Sequence, residues 1–218
     1  MPSHAEPLPA DLTALRLALA QGRRQFQGLS LPDLDGVDLD LSNCDLRGAC
    51  LKAARLGRSH LRQAQLEDAC LQQALLWGAD LSEAKAARSR WHEADLSGGR
   101  LQRTDFDAAL MHRCCLRGVL AAGSTWRKAR LVEADFRGGL DQLTDLGGAD
   151  MRQSDLSFAL LQGAQLPGAN LGGSCLYGAS LAEANLSAAC LEGCDLRDCD
   201  LTGARLEGCR LEGALLPD

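Results

Sequence analysis

The sequence has few aromatic residues, no long apolar run and no strong excess of one charge. Phe, Trp and Tyr together make up 4% of its 218 residues, so leucine must do the packing. No stretch approaches eighteen apolar residues, which excludes a transmembrane helix of ordinary length. The net charge is −6, with acidic and basic residues interspersed, so the chain lacks the basic face that grips nucleic acid. No glycine-rich phosphate loop, HExxH or Ser-His-Asp arrangement stands in a suitable context. No membrane, no direct nucleic acid, no cofactor, no metal and no catalysis are expected.

What the sequence does have is a period of five. From Cys44 the chain reads CDLRG, ACLKA, ARLGR and so on to ALLPD. The third residue falls at Leu46, Leu51, Leu56 and every fifth position to Leu216, giving 35 central positions. All are Leu, Phe, Met or Trp except Ala86, Ala121 and Asp141. Two residues earlier each five carries a small residue or, once, Val119, and the frame runs on without an insertion. Such a repeat is to be read before anything else.

Five fits neither regular element. On a helix it rotates side chains by roughly 140°, and on a straight strand it flips them between faces. One inward stripe therefore requires the chain to turn once per repeat. The small residue, its neighbour and the Leu form an extended step, with the first and third inward and the second outward. The last two residues make a corner, in keeping with glycine at Gly48, Gly78, Gly118, Gly163, Gly193 and Gly213.

Fives such as ADLSE at 79–83, ANLGG at 169–173 and ANLSA at 184–188 resemble the A(D/N)LXX units of the pentapeptide repeat family. The resemblance covers about four fifths of the chain. It implies an all-β solenoid, a right-handed quadrilateral parallel β-helix with four fives per coil and about nine coils. Composition alone does not give the number four.

Two parts follow: an N-terminal arm and capping helix over 1–24, and the β-helix over 25–218. Residues 1–10 read as a disordered arm. Asp11 reads as the N-cap of LTALRLALAQ and Gly22 as its stop, with Leu12, Leu15 and Leu19 on one face and Leu17 off it. So short a helix needs a surface to dock on, and the open first coil offers one. Irregular geometry is expected in residues 23–43, where Gly36 breaks the frame and Leu34, Val37 and Leu39 fall outside it. At the far end, either Leu215, Leu216 and Pro217 fold over the last coil or a second chain covers it. The resemblance implies tail-to-tail homodimers for some members, and monomer and dimer both remain open.

Ten cysteines occupy repeat slots rather than a spacing code. With no signal peptide recognised, reduced thiols and a cytoplasmic location are expected. Ala86 shares a coil with Trp91, and Ala121 with Trp126, so both tryptophans read as core in a fixed cross-section. In the twenty-residue register Asp141 stacks over Ala121, either beside a polar interior pocket or in a bulge that turns Leu140 or Leu143 inward and Asp141 outward. His92 and His112 become outward neighbours, as do Cys50 and Cys70. They read as solvated imidazoles and free thiols.

Two surfaces stand out in that register. Leu120, Leu140 and Leu160, with Leu143 beside them, form a candidate apolar interaction patch. Asp95, Asp135, Asp155 and Asp195 form a candidate acidic row, interrupted by Cys115 and Cys175 and flanked by Arg117, Arg137 and Arg197. The first functional reading is a non-enzymatic scaffold whose flat faces bind a protein partner, as the resemblance implies for some cyanobacterial members with uninterrupted arrays. The alternative it implies is a DNA mimic that occupies a type II topoisomerase such as DNA gyrase, as in the quinolone-resistance branch. Members of that branch often carry projecting loops, which the continuous frame does not suggest here.

Overall fold

The computed structural model describes residues 6–217. Helix α1 spans Leu12–Ala20. The Asp11 carboxylate accepts from the Ala14 N–H (2.8 Å), as an N-cap should. At the other end Gly22 has φ +84°, its N–H reaches the Leu19 carbonyl, and the Arg23 N–H reaches that of Ala18. This is a Schellman stop. Leu15 and Ala18 are buried, Leu12 and Leu19 pack against the core and Leu17 is exposed. The helix thus closes the first coil. Residues 6–10, expected in a disordered arm, are held instead: Arg23 donates to the carbonyls of Pro7 (2.8 Å) and Glu6 (3.0 Å). The same expectation for residues 1–5 lies outside the described residues.

From Gln25 to Leu215 the chain winds into about nine parallel coils. Each face is a minimal strand, one bridged residue wide. The outward residue of each five pairs in parallel with the one twenty residues on, as in Asp45 with Gln65 and Gln65 with Lys85. The Leu46 N–H donates up to the Gln65 carbonyl (2.8 Å), and the Asp45 N–H donates down to the Arg24 carbonyl (2.7 Å). The Ala49 N–H closes a turn onto the Leu46 carbonyl (2.9 Å). Repeated along the array, this scheme satisfies buried backbone groups that would be costly alone. The turn demands positive φ at the fifth place, the signature of a type II turn. Glycine supplies it at Gly48 (φ +65°), but Asp33 (+57°), Arg58 (+56°) and Phe158 (+58°) adopt it as well.

Stacked corner side chains offset part of that strain. Arg58 grips Asp38 with two hydrogen bonds (2.8 and 2.6 Å), and Arg88 grips Asp68 likewise (3.0 and 2.8 Å). Each pair is exposed and worth at most about 1 kcal/mol.

The interior is four columns of central side chains, nearly all fully buried. Residues 23–43 are regular, contrary to the expectation of irregular geometry. Leu34 and Leu39 sit in inward small-residue slots and fill the space that Gly36 vacates. A Cβ on Gly36 would lie 3.2 Å from Leu56 and 3.3 Å from Leu39. The same compensation governs the tryptophans, for Trp91 and Trp126 are fully buried in coils narrowed by Ala86 and Ala121. With Phe106 and Phe136 they form an aromatic string. Phe106 stacks on Trp126 (4.4 Å between centroids) and meets Trp91 edge-on (5.7 Å), and Trp126 meets Phe136 edge-on (6.0 Å).

Each indole has its own acceptor two residues back. Trp91 Nε1 donates to Ser89 Oγ (2.5 Å) and Trp126 Nε1 to Ser124 Oγ (2.6 Å). The serines pass the bond to the carbonyls of Ala86 and Ala121. Ala-x-x-Ser-x-Trp is therefore one packing unit used twice. Cysteines in the same inward slot donate to a carbonyl one coil below: Cys114 to Trp91 (2.8 Å) and Cys194 to Leu171 (3.0 Å). All ten cysteines are free. Burial pushes the Cys194 thiol up to about 11, so it stays protonated and inert.

Two predictions follow from these contacts. Ser124→Ala strands a buried indole N–H and is expected to cost about 1–3 kcal/mol in urea unfolding. Adding Trp126→Phe should then cost little beyond the lost ring packing, a coupling that a double-mutant cycle reads directly. The Asp45 carboxylate is buried under Arg47 (2.9 and 2.6 Å) and Gln27 (2.5 Å). Chiefly through the Arg47 guanidinium, it is held below the usual carboxylate range. A lowered folded-state pKa contributes stability above the unfolded value of about 3.9, and that contribution fades as pH falls through the folded value. Asp45→Asn should flatten the acid limb of the stability–pH curve, and an unchanged limb would refute the assignment.

Candidate interaction surface

One break interrupts the frame. Up to Cys115 the outward residues pair twenty apart, but Leu120 pairs with Asp145, Thr125 with Asp150, Arg130 with Asp155 and Asp135 with Leu160. Beyond them the spacing returns to twenty. Five residues have left the coil, as a loop over 139–143. The run Gly138–Gly139 allows the departure, and positive φ is missing at Gly138, where the repeat calls for it. Thr144 re-enters the buried small slot. Its Oγ1 donates to the Arg137 carbonyl (2.9 Å) and accepts from the Gly118 N–H (2.8 Å). The Gly139 N–H closes the loop onto the Gln142 carbonyl (2.7 Å), while Gln142 Nε2 ties it to the Gly118 carbonyl.

The loop rests on Gly118. A Cβ there would lie 2.9 Å from Gly139 N and 3.1 Å from the Gln142 carbonyl, and φ is +62°. Leu140 at the tip touches solvent over its whole surface (101%), and Leu143 and Asp141 are also exposed.

The break revises the two candidate surfaces. Leu120 and Leu160 lie on different faces: Leu120 is bridged to Arg100 and Asp145, and Leu160 to Asp135 and Ser180. Leu140 and Leu143 belong to the loop, so the four leucines do not form one stacked column. Asp141 does not stack over Ala121, whose N–H pairs with Asp145 instead. The bulge turns Asp141 outward as one reading held, but neither Leu140 nor Leu143 turns inward.

The acidic row is split as well. Asp95 and Asp135 share a column with Leu75, Cys115 and Leu160, whereas Asp155 and Asp195 stand on the adjacent face with Arg130 and Cys175. Arg137 neutralises Asp135 with two hydrogen bonds (2.9 and 2.8 Å), and Arg197 does the same for Asp195 (2.9 and 2.7 Å). Burial acts to raise the Asp135 carboxyl, but its bonds to Arg137 outweigh that, and Arg197 chiefly acts on Asp195; both carboxyls lie below the usual range. Arg117 comes only to 4.0 Å of Asp135.

Of the remaining candidates, His92, His112 and Cys50 are half-buried and Cys70 is buried. His92 and His112 stack edge to face at 6.0 Å, and among the described residues no cluster of three metal-binding side chains occurs. Cys50 and Cys70 are bridged neighbours with free thiols. No helix among the described residues is long and apolar enough to cross a membrane. Leu215 and Leu216 do not fold over the last coil. Both are more than half exposed, and Leu201, Leu206 and Leu211 beneath them are only partly covered.

Sequence reasoning missed two outward aromatic features. Trp77 is 38% exposed, with Arg58 stacked over its ring at 5.0 Å. Phe158 and Tyr177 pair edge to face at 5.6 Å on another corner. The signal was present, since these aromatics occupy the fourth and fifth places of their fives, which face out.

A coil of four faces closed by a helix defines the class: a quadrilateral β-solenoid that displays side chains on flat walls. The family model of pentapeptide repeats matches in eight copies, over residues 40–78, 78–113, 144–181 and 179–216. The chain belongs to the pentapeptide repeat family, and its fold is the right-handed quadrilateral parallel β-helix of that family. The unmatched stretch 114–143 contains the loop.

The chain is similar to HetL, a pentapeptide repeat protein involved in heterocyst differentiation regulation from the cyanobacterium Nostoc sp. strain PCC 7120. The two share 34% identity over 96% of this chain and 98% of that one, with TM-score 0.77. QnrB1, a plasmid-mediated fluoroquinolone resistance protein, superposes with TM-score 0.55 at 21% identity over 89% of this chain and 87% of that one, a likeness of fold alone. The comparison with curated proteins gives no match.

The loop is separable from the coil. Removing residues 139–143 joins Gly138 to Thr144, so that the fives ADFRG and TDLGG follow one another in frame with glycine at the turn. This shortened chain is expected to fold with an unchanged circular dichroism spectrum and to melt within a few degrees of the parent. Gly118→Ala should destabilise the full chain by about 1–3 kcal/mol, through strain at positive φ and the displaced loop. In the shortened chain only the φ part remains, about 1–2 kcal/mol. Equal costs in both would contradict the loop contact.

Proposed function

We propose that this chain is a non-enzymatic protein-binding rod and that the face carrying the 139–143 loop meets the partner. The carrying observation is Leu140, an aliphatic side chain held in full contact with water on a loop tied down at both ends. With Leu143 beside it and Trp77 across a groove, it makes contiguous exposed apolar surface, which commonly marks an interaction site. Tight corners elsewhere leave no other loop of this kind among residues 25–217. The likeness to HetL, whose description is regulatory, supports a role exercised through a partner. The reading includes reduced thiols and a cytoplasmic setting. It also includes a tail-to-tail homodimer through the partly covered final coil, which light scattering at tens of micromolar checks: a monomer removes the dimer.

Retention of proteins from a source lysate on the immobilised chain tests the reading. Wild type should retain at least one protein that Leu140→Asp and the chain lacking 139–143 both lose. Equal retention by all three would contradict it. The rival reading, a DNA mimic, has lost its single carboxylate row to the register shift and to Arg137 and Arg197. In a gyrase supercoiling assay no inhibition or protection is expected at low micromolar chain.

A further inference from the structure

A groove of about 510 Å³ runs along the corner beside the loop. Trp77 forms one wall and Leu140 the other, with Gly98, Gly118 and Cys115 between them. The volume falls in the range of clefts that take small ligands or a few side chains, about 300–1,000 Å³. Two features hold it open. Trp77 lies back across Gly57, where a Cβ would overlap its ring, and a Cβ on Gly98 would meet nothing within 4 Å. Both walls are apolar and in contact with solvent.

The charges around the groove differ in how far they are committed. Arg117 points to the Gly138 carbonyl (3.3 Å) and lies 4.0 Å from Asp135. Arg137 is spent on Asp135, and Arg58 on Asp38. Asp141 on the rim, and Asp95 next to Cys115 on the adjoining face, have no cation within ion-pair distance among the described residues. Of the two charged side chains that line the groove, Arg117 is held only by the Gly138 carbonyl and a pair at 4.0 Å, and Asp141 by no cation among the described residues, so the rim carboxylate is the charge most open to a partner. The N–H groups of Leu140 and Asp141 also make no hydrogen bond among the described residues.

We propose that this groove binds an extended peptide segment of a partner protein, with a bulky aliphatic or aromatic side chain between Trp77 and Leu140 and an adjacent Lys or Arg paired with Asp141. The inference rests on the reading of the loop face as a protein-binding surface and names the chemistry that this surface selects. Burial of one large apolar side chain supplies the main attraction. The carboxylate sets the sign of the flanking residue more than it adds affinity.

The probes are acetyl-Arg-Leu-Phe-Arg-amide and its charge-reversed counterpart acetyl-Glu-Leu-Phe-Glu-amide, titrated into the full chain. Trp77 reports binding, because Trp91 and Trp126 are fully buried. The basic peptide should shift Trp77 emission and bind about fivefold or more tightly than the acidic one, the size expected when exposed charge pairs change sign. Asp141→Lys should reverse that order, and removal of 139–143 should abolish both responses. No response to the basic peptide at millimolar concentration, or a preference unchanged by Asp141→Lys, would overturn the proposal. Loss of lysate partners by Leu140→Asp alongside peptide silence would overturn the groove while leaving the protein-binding reading intact.

Discussion

A coil of fixed cross-section constrains everything else in this molecule. Each turn of twenty residues must present its N–H and C=O groups in step with the turns above and below. Every corner must then occupy the same volume and every side of the square the same length. Leucine at the centre and a small residue two places before it satisfy that geometry. So does a residue that accepts positive φ at the corner. Where one position departs, a neighbour compensates. Ala86 narrows beside Trp91, and Leu34 and Leu39 swell around Gly36. A polar group that enters the interior brings its acceptor with it, as the Ser89–Trp91 and Ser124–Trp126 pairs show.

The same constraint explains the loop. A solenoid can add residues without losing its ladder only by expelling them in whole units. The excursion from Gly138 to Thr144 adds five residues, so the inside–outside alternation resumes with Thr144 buried and Asp145 bridged. What changes is the identity of the neighbours. Every residue after the loop stands one face away from where an uninterrupted count would place it. Surface rows are the property most sensitive to such a shift, and core columns the least, because one leucine replaces another.

That difference marks how far the sequence was legible. Period, core positions, helix caps and buried tryptophans follow from local pattern, and each is visible in the residues themselves. The rows of outward residues were not, because they depend on the register between coils, and the expelled unit GLDQL mimics no obvious break in a count of fives. Asp141 at a central position and the Gly138–Gly139 pair carried the hint. Weighed together, they favour a unit outside the coil over a polar core. Trp77 and Phe158 were legible in principle, since aromatics at the fourth and fifth places must face water. The proposed partner leaves no local trace. Only the juxtaposition of Trp77 with Leu140, sixty-three residues apart in the chain, brings the groove proposed for it into view.

The register across the loop is the central claim, and paired cysteines measure it most directly. Stacked outward positions lie about 4.8 Å apart, inside the Cα window of about 4.4–6.8 Å that a disulfide tolerates. Leu120→Cys combined with Asp145→Cys should cross-link on mild oxidation, identified by peptide mapping. Leu120→Cys combined with Leu140→Cys should not. The opposite outcome, with 120 joined to 140 and not to 145, would show an unbroken array and contradict the account.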